Sequence, residues 1–173
     1  MVDLDDANTV RAGVFGVQDG IVSTFGLVMG VAGAQVSPEA VLIAGIAGAV
    51  SGAVSMGAGE YVSVKVQREL LEARGDGRDG GGTVSPSRAA MANSGLFVLG
   101  ASFPLLPFLF LVGLPAVATS TVLSVTALFV AGALLTRLTK RSPVASGMRM
   151  LIIGGGAGVL GYLVGSLLGV AVG

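Results

Sequence analysis

The sequence predicts an all-α integral membrane protein with five transmembrane helices and a cytoplasmic N-terminus. Three observations predict it. Of 173 residues, 53% are hydrophobic and 12% charged, about half the charged share of roughly 25% that keeps an ordinary soluble domain wet. The uncharged stretches are long enough to cross about 30 Å of hydrocarbon, which takes about 20 helical residues. All ten basic residues fall in alternate connections, the asymmetry that orients a chain with its positive side inward.

Span 1, about 10–33, is uncharged from Gly20 to Pro38 and reaches back to Ala12 once Asp19 is admitted. Span 2, about 39–64, rests on the uncharged run Ala40 to Gly59. Its helix is expected to continue to about Arg74, where Gly75, Gly77 and the triplet Gly80, Gly81, Gly82 end it. Spans 3 and 4, about 88–110 and 115–136, share one long uncharged run from Ala89 to Thr136, with Pro104, Pro107, Gly113 and Pro115 marking the division. Span 5, about 148–171, rests on Met150 to Gly173. Ser37-Pro38, Ser85-Pro86 and Ser142-Pro143 each offer an N-cap hydroxyl followed by proline at the first helical position. The chain thus reads as one domain, 1–173, in which 69–87 is a short flexible cytoplasmic linker, too glycine-rich to build a core.

Orientation follows from Arg11 before span 1, from Lys65, Arg68, Arg74, Arg78 and Arg88 between spans 2 and 3, and from Arg137, Lys140, Arg141 and Arg149 between spans 4 and 5. The opposite connections carry none, so the N-terminus is expected in the cytoplasm and the C-terminus outside. Met1 to Asp6 holds three aspartates and no basic residue ahead of the apolar run, the reverse of a signal peptide. The brevity of the chain and the lack of a targeting segment fit a prokaryotic plasma membrane, or a vacuolar membrane if the source is eukaryotic. The basic connections also face anionic lipid, although orientation alone accounts for them. With no Cys and no His, zinc fingers, iron–sulfur ligation and thiol or histidine catalysis are excluded. Without Trp and with 5% aromatic residues, no stacking platform for nucleic acid is available. An intramembrane enzyme is a poor reading, because no serine–base constellation exists to complete it.

Away from the span ends, two charged residues fall inside spans, Asp19 and Glu60. An acid at a helix centre costs about 2.5 to 3.5 kcal/mol to insert, so such residues mark function. Asp19 lies eight residues beyond Arg11, about 12 Å at 1.5 Å per residue. Met56 lies nine residues before Lys65, about 13 Å by the same rise, so antiparallel spans 1 and 2 bring the acid and the thioether to one level. Glu60 stands one turn nearer the cytoplasm on the Met56 face. Small residues accompany both: Ala12, Phe15, Gly16, Ser23, Gly26 and Gly30 on the Asp19 stripe; Ala49, Gly52, Ala53, Met56, Gly57 and Ser63 on that of Glu60. Pairs such as Gly16/Gly20, Gly26/Gly30 and Gly48/Gly52 read as helix-packing positions.

Two carboxylates and a thioether suit a divalent cation. Oxygen alone favours Mg²⁺ or Ca²⁺, and sulfur tilts the preference toward Fe²⁺, Mn²⁺ or other late divalents. One chain supplies too few ligands, and a two-fold homodimer doubles them around one axis. A cation arriving among protonated carboxylates expels their protons, so metal in one direction and H⁺ in the other follows from linkage.

At these residues the sequence resembles the vacuolar iron transporter family. The strings that carry the resemblance are DGIVSTFGLVMGVAGA (Asp19–Ala34) and AGAVSGAVSMGAGEYVSVKVQREL (Ala47–Leu70); spans 3 to 5 fit in hydropathy and in Gly/Pro placement. The resemblance implies a five-span homodimer with a pore between the subunits. It further implies export of Fe²⁺, and often Mn²⁺, from the cytoplasm in exchange for protons, with no permanently bound cofactor. By position, Asp19 matches the mid-pore aspartate, Met56 the pore methionine and Glu60 the acidic residue below it. Members of that family typically insert a glutamate-rich domain between spans 2 and 3. Here Glu69 and Glu72 resemble its beginning and Gly75 to Ser87 replaces the rest, as in shortened, nodulin-21-like members. Glu69 and Glu72 remain candidates for gathering cations at the cytoplasmic mouth, against the plainer reading of a solvated helix end. The alternative to a metal transporter is a non-transporting membrane scaffold or partner subunit of the same fold, which the missing cytosolic domain favours.

Overall fold

Prolines begin three of the five helices. In the computed structural model, which describes residues 4–74, 85–139 and 142–172, the helices are α1 (Leu4–Gly33), α2 (Pro38–Ala73), α3 (Pro86–Phe110), α4 (Gly113–Thr139) and α5 (Pro143–Val172). Pro38, Pro86 and Pro143 each hold the first helical position, where a missing N–H leaves nothing unpaired. The Ser37 hydroxyl accepts from the Ala40 N–H at 3.3 Å and that of Ser142 from the Ala145 N–H at 3.5 Å. Ser85 departs from this pattern: its hydroxyl pairs with that of Ser87 at 2.9 Å and caps nothing.

Each of the five helices holds a candidate span of 22 residues or more, long and apolar enough to cross a membrane. The outside is covered by apolar side chains such as Ile43, Val54, Val122 and Leu167, all more than half exposed. Water would penalise that surface and lipid does not. The protein is a multi-pass membrane protein.

Two details differ from the sequence reading. Pro104 and Pro107 do not divide spans 3 and 4 but lie inside α3. The chain turns instead at 111–112, with Gly113 at φ +63°, a region glycine enters without steric cost. In α3 the two rings remove the N–H groups that would bond the Gly100 and Phe103 carbonyls. Membrane helices tolerate such lost bonds. Separately, Ser120 of α4 donates to the Pro104 carbonyl at 2.8 Å, a buried hydrogen bond that ties α4 to this turn of α3. The second difference concerns the linker. α2 runs helically to Ala73, with Arg74 as its cap, and α3 starts at Pro86, so 69–87 is helical at both ends. Its residues 75–84 lie outside the described residues, as do Arg78, Lys140 and Arg141.

α1 packs against all four other helices and is the axis of the bundle. Its neighbours meet it in register. A Cβ at Gly16 would meet the Asn93 carbonyl, and one at Gly20 that of Phe97, so α3 runs parallel to α1. A Cβ at Gly26 would lie 3.5 Å from the Ala157 carbonyl and one at Gly30 3.3 Å from that of Gly161, so α5 is parallel as well. α2 runs the other way, Gly45 lying against Val28 and Gly48 against Leu27. Consecutive helices therefore alternate in direction, which brings Lys65, Arg68, Arg88 and Arg149 to one end of the bundle. The core is layered along α1: Ile21 with Leu128 and Met150, then Phe25, Val28 and Met29 with Phe108 and Ala116.

Candidate ion-binding cavity between helices α1 and α2

Two glycines of α2 shape the space beside α1. Gly52 leaves room for the Phe97 ring of α3, whose Cε1 would stand 2.7 Å from any added Cβ. One turn away, Gly48 accommodates the Leu27 side chain of α1. Beside these two side chains lies a cavity of about 370 Å³ lined by Asp19, Ser23, Thr24 and Leu27 of α1, by Gly48, Ser51, Gly52, Ser55 and Met56 of α2, and by Phe97.

The acid and the thioether thus share one cavity. Asp19 is half-buried, seven residues into the apolar span Ala12–Gly33, about 10 Å from its N-terminal end at 1.5 Å per residue. Next to it, Gly20 is pressed onto the α3 backbone at Phe97 and Ala101, which pins α1 at the acid. Met56 packs against the cluster formed by Ala49, Ala53, Phe97 and Ala101. Ser23 donates its hydroxyl proton to the Asp19 carbonyl at 2.6 Å and Ser51 donates to the Gly48 carbonyl at 3.3 Å. Ser23, Leu27, Ser51 and Ser55 are exposed, so the cavity opens on the flank of the bundle.

Other residues singled out from the sequence are placed elsewhere. Glu60 is half-buried one turn along α2 and does not line this cavity. Glu69 and Glu72 stand on the exposed end of α2, where Arg68 Nε donates to Glu72 Oε1 at 3.0 Å. The stripe expected to accompany Asp19 is divided among neighbours: Gly16 and Gly20 face α3, while Gly26 and Gly30 face α5. A central helix has no spare face, so its small residues serve different partners. On α2, Gly48 and Gly52 do border the cavity, whereas Ala49, Ala53 and Gly57 turn to α3, where Ser94 donates to the Ala53 carbonyl at 2.9 Å.

Sequence reasoning missed Thr24, Leu27, Ser51, Ser55 and Phe97. The four-residue spacing of Ser51 and Ser55, with Met56 alongside, was a usable signal, since residues four apart share a helix face. Phe97 gave none, because nothing local says which neighbour α3 meets. Among the described residues no group of three or more Asp, Glu, His or Cys comes together, so one protomer offers a cation a single carboxylate, a thioether and hydroxyls here.

Comparison with known proteins adds to this geometry. The VIT family model matches residues 10–79 and 76–166, together most of the chain and all of the cavity. The chain belongs to the VIT family. Among curated relatives, vacuolar iron transporter homolog 4 of Arabidopsis thaliana is 35% identical over 154 residues, 86% of this chain and 78% of that protein. Homolog 3 of the same plant is 37% identical over 155 residues, 86% and 77%. Vacuolar iron transporter homolog 5 of Oryza sativa subsp. japonica is 44% identical over 112 residues, 61% of this chain and 54% of that protein. In this VIT-family chain the first matched segment contains α1 and α2 with Asp19, Met56 and Glu60, and the second contains Phe97.

Proposed function

We propose that this chain is a divalent transition-metal transporter that exports Fe²⁺ and/or Mn²⁺ from the cytoplasm through a pore shared with a second copy, in exchange for protons. The observation that carries the reading is the convergence of Asp19 and Met56 on one cavity that opens sideways from the bundle. A carboxylate facing lipid would cost about 2.5 to 3.5 kcal/mol at the helix centre, and a second copy related by a two-fold axis removes that exposure. It sets two cavities face to face, so two carboxylates, two thioethers and their hydroxyls surround one path. Soft sulfur beside hard oxygen suits Fe²⁺ and Mn²⁺ better than Mg²⁺ or Ca²⁺. Glu60, one turn along α2, is the next carboxylate on the path toward the basic end, with Glu69 and Glu72 beyond it. The plant relatives, named vacuolar iron transporter homologs, support iron as cargo and favour a vacuolar membrane over the plasma membrane expected from the sequence.

Proton exchange rests on linkage, because a divalent cation binding at carboxylates displaces the protons they hold. The test is flux into proteoliposomes with a pH-sensitive dye in the lumen. Asp19→Asn and Met56→Ala are each expected to cut Fe²⁺ and Mn²⁺ flux about tenfold or more, equivalent to roughly 1.4 kcal/mol, while the dimer persists in cross-linking. Wild-type flux is expected to move protons against the metal. Unchanged flux in both variants refutes the site, and metal flux without proton movement leaves a channel in place of an exchanger. No flux at all from the wild-type chain returns the scaffold reading.

A further inference from the structure

Two hydroxyls of the cavity have committed their protons to their own helices, as serines in helices commonly do. A serine hydroxyl has one proton to give and two lone pairs to offer. Ser23 has given its proton to the Asp19 carbonyl at 2.6 Å, and Ser51 has given its own to the Gly48 carbonyl at 3.3 Å. Each oxygen is left with lone pairs alone, and both residues line the cavity from opposite walls, Ser23 on α1 and Ser51 on α2. Asp19 and Met56 add an acceptor carboxylate and a weak acceptor sulfur. At Ser23 and Ser51 the wall therefore offers acceptors, the polarity that suits a cation whose bound waters point their protons outward; Thr24 and Ser55 line the same cavity. The cavity, at about 370 Å³, has room for an ion together with several of its waters, each taking about 30 Å³ in the liquid.

We propose that Ser23 and Ser51 are specificity-determining positioning residues that hold the cargo as a partly hydrated ion, each accepting a hydrogen bond from a water on the metal. The inference rests on the transporter reading above and adds to it how cargo is sorted. Ions that keep their waters and prefer oxygen, such as Mn²⁺, draw on these hydroxyls. A soft ion such as Cd²⁺, which sheds water for sulfur, draws on Met56 instead. The two serines therefore tilt the cavity toward the harder ion.

The experiment compares full-length wild type with Ser23→Ala, Ser51→Ala and the double variant in proteoliposomes, reading KM and kcat for Mn²⁺ flux and the Cd²⁺ concentration that halves it. Each single change is expected to raise the Mn²⁺ KM about fivefold, the value of one water-mediated hydrogen bond, with kcat unchanged and the Cd²⁺ inhibition constant moved less than about twofold, since sulfur ligation does not use these hydroxyls. Ser23→Thr and Ser51→Thr keep the hydroxyl, which also bonds the preceding turn of its helix, and are expected to restore the wild-type KM. Equal loss of Mn²⁺ and Cd²⁺ affinity, no change in either, or failure of threonine to rescue overturns the proposal while leaving the transporter reading intact. A wild-type chain that moves no metal overturns both.

Discussion

Gly20→Ala is the sharpest test of how α1 is held. A Cβ there would collide with the Phe97 carbonyl oxygen, stand 2.9 Å from the Phe97 carbonyl carbon and 3.0 Å from the Ala101 nitrogen. All three are backbone atoms of α3, so no side chain can rotate aside. The helices must part by about 1 Å, and overpacking of this kind costs about 1–3 kcal/mol. Gly59→Ala is the matched control, because a Cβ at Gly59 meets nothing within 4 Å among the described residues. There the substitution is neutral or gains up to about 0.5–1 kcal/mol from the better helix former. Thermal unfolding of both variants in the same detergent is the assay, with Gly20→Ala expected to melt well below wild type and Gly59→Ala at or above it. Equal melting temperatures would refute the claim that backbone contact between α1 and α3 holds the bundle. Because Phe97 also lines the cavity, Gly20→Ala is further expected to weaken metal flux at temperatures where the protein remains folded.

Ser120→Ala removes the donor to the Pro104 carbonyl. Since interhelical hydrogen bonds in membranes average about 0.6 kcal/mol, a small but measurable fall in detergent unfolding temperature is expected. Glu72→Gln breaks the Arg68–Glu72 pair, both of whose side chains are more than half exposed. Exposed pairs one turn apart contribute about 0.3–0.5 kcal/mol, so stability should barely move; a large loss would mean that the end of α2 is buried against a partner.

The five spans were legible because lipid imposes one simple demand, the absence of charge over a helix length, and the chain meets it between Gly20 and Pro38 and again after Arg149. The end of α2 at Ala73 was legible from the glycine-rich run that follows Arg74 in the sequence. The prolines of α3 misled because their usual meaning, a break, fails inside a membrane bundle, where the helix runs on through Pro104 and Pro107. The shared level of Asp19 and Met56 came from counting rise along antiparallel helices, which needs no knowledge of packing. Face assignment failed beyond that. α1 carries small or apolar residues all round, so helical periodicity could not say that Gly16 meets Asn93 while Gly26 meets Ala157. Ser51 and Ser55 were overlooked because the glycines and alanines around them dominated the pattern.

The cavity itself follows from how glycine is used along α1 and α2. Where two backbones meet directly, as Gly161 meets the Gly26 carbonyl and Gly165 that of Gly30, missing side chains draw the helices together and leave no space. Where a glycine faces a large side chain, as Gly52 faces Phe97 and Gly48 faces Leu27, the same absence accommodates a wedge. These two bulky side chains, Leu27 from α1 and Phe97 from α3, fill the notches of α2 and border the cavity beside Asp19. Filling the notches at Gly48 and Gly52 would expel Leu27 and Phe97 into the space lined by the acid. The glycines of α2 therefore act on the site by making room for bulk, and those of α1 by fixing the helix that carries the carboxylate.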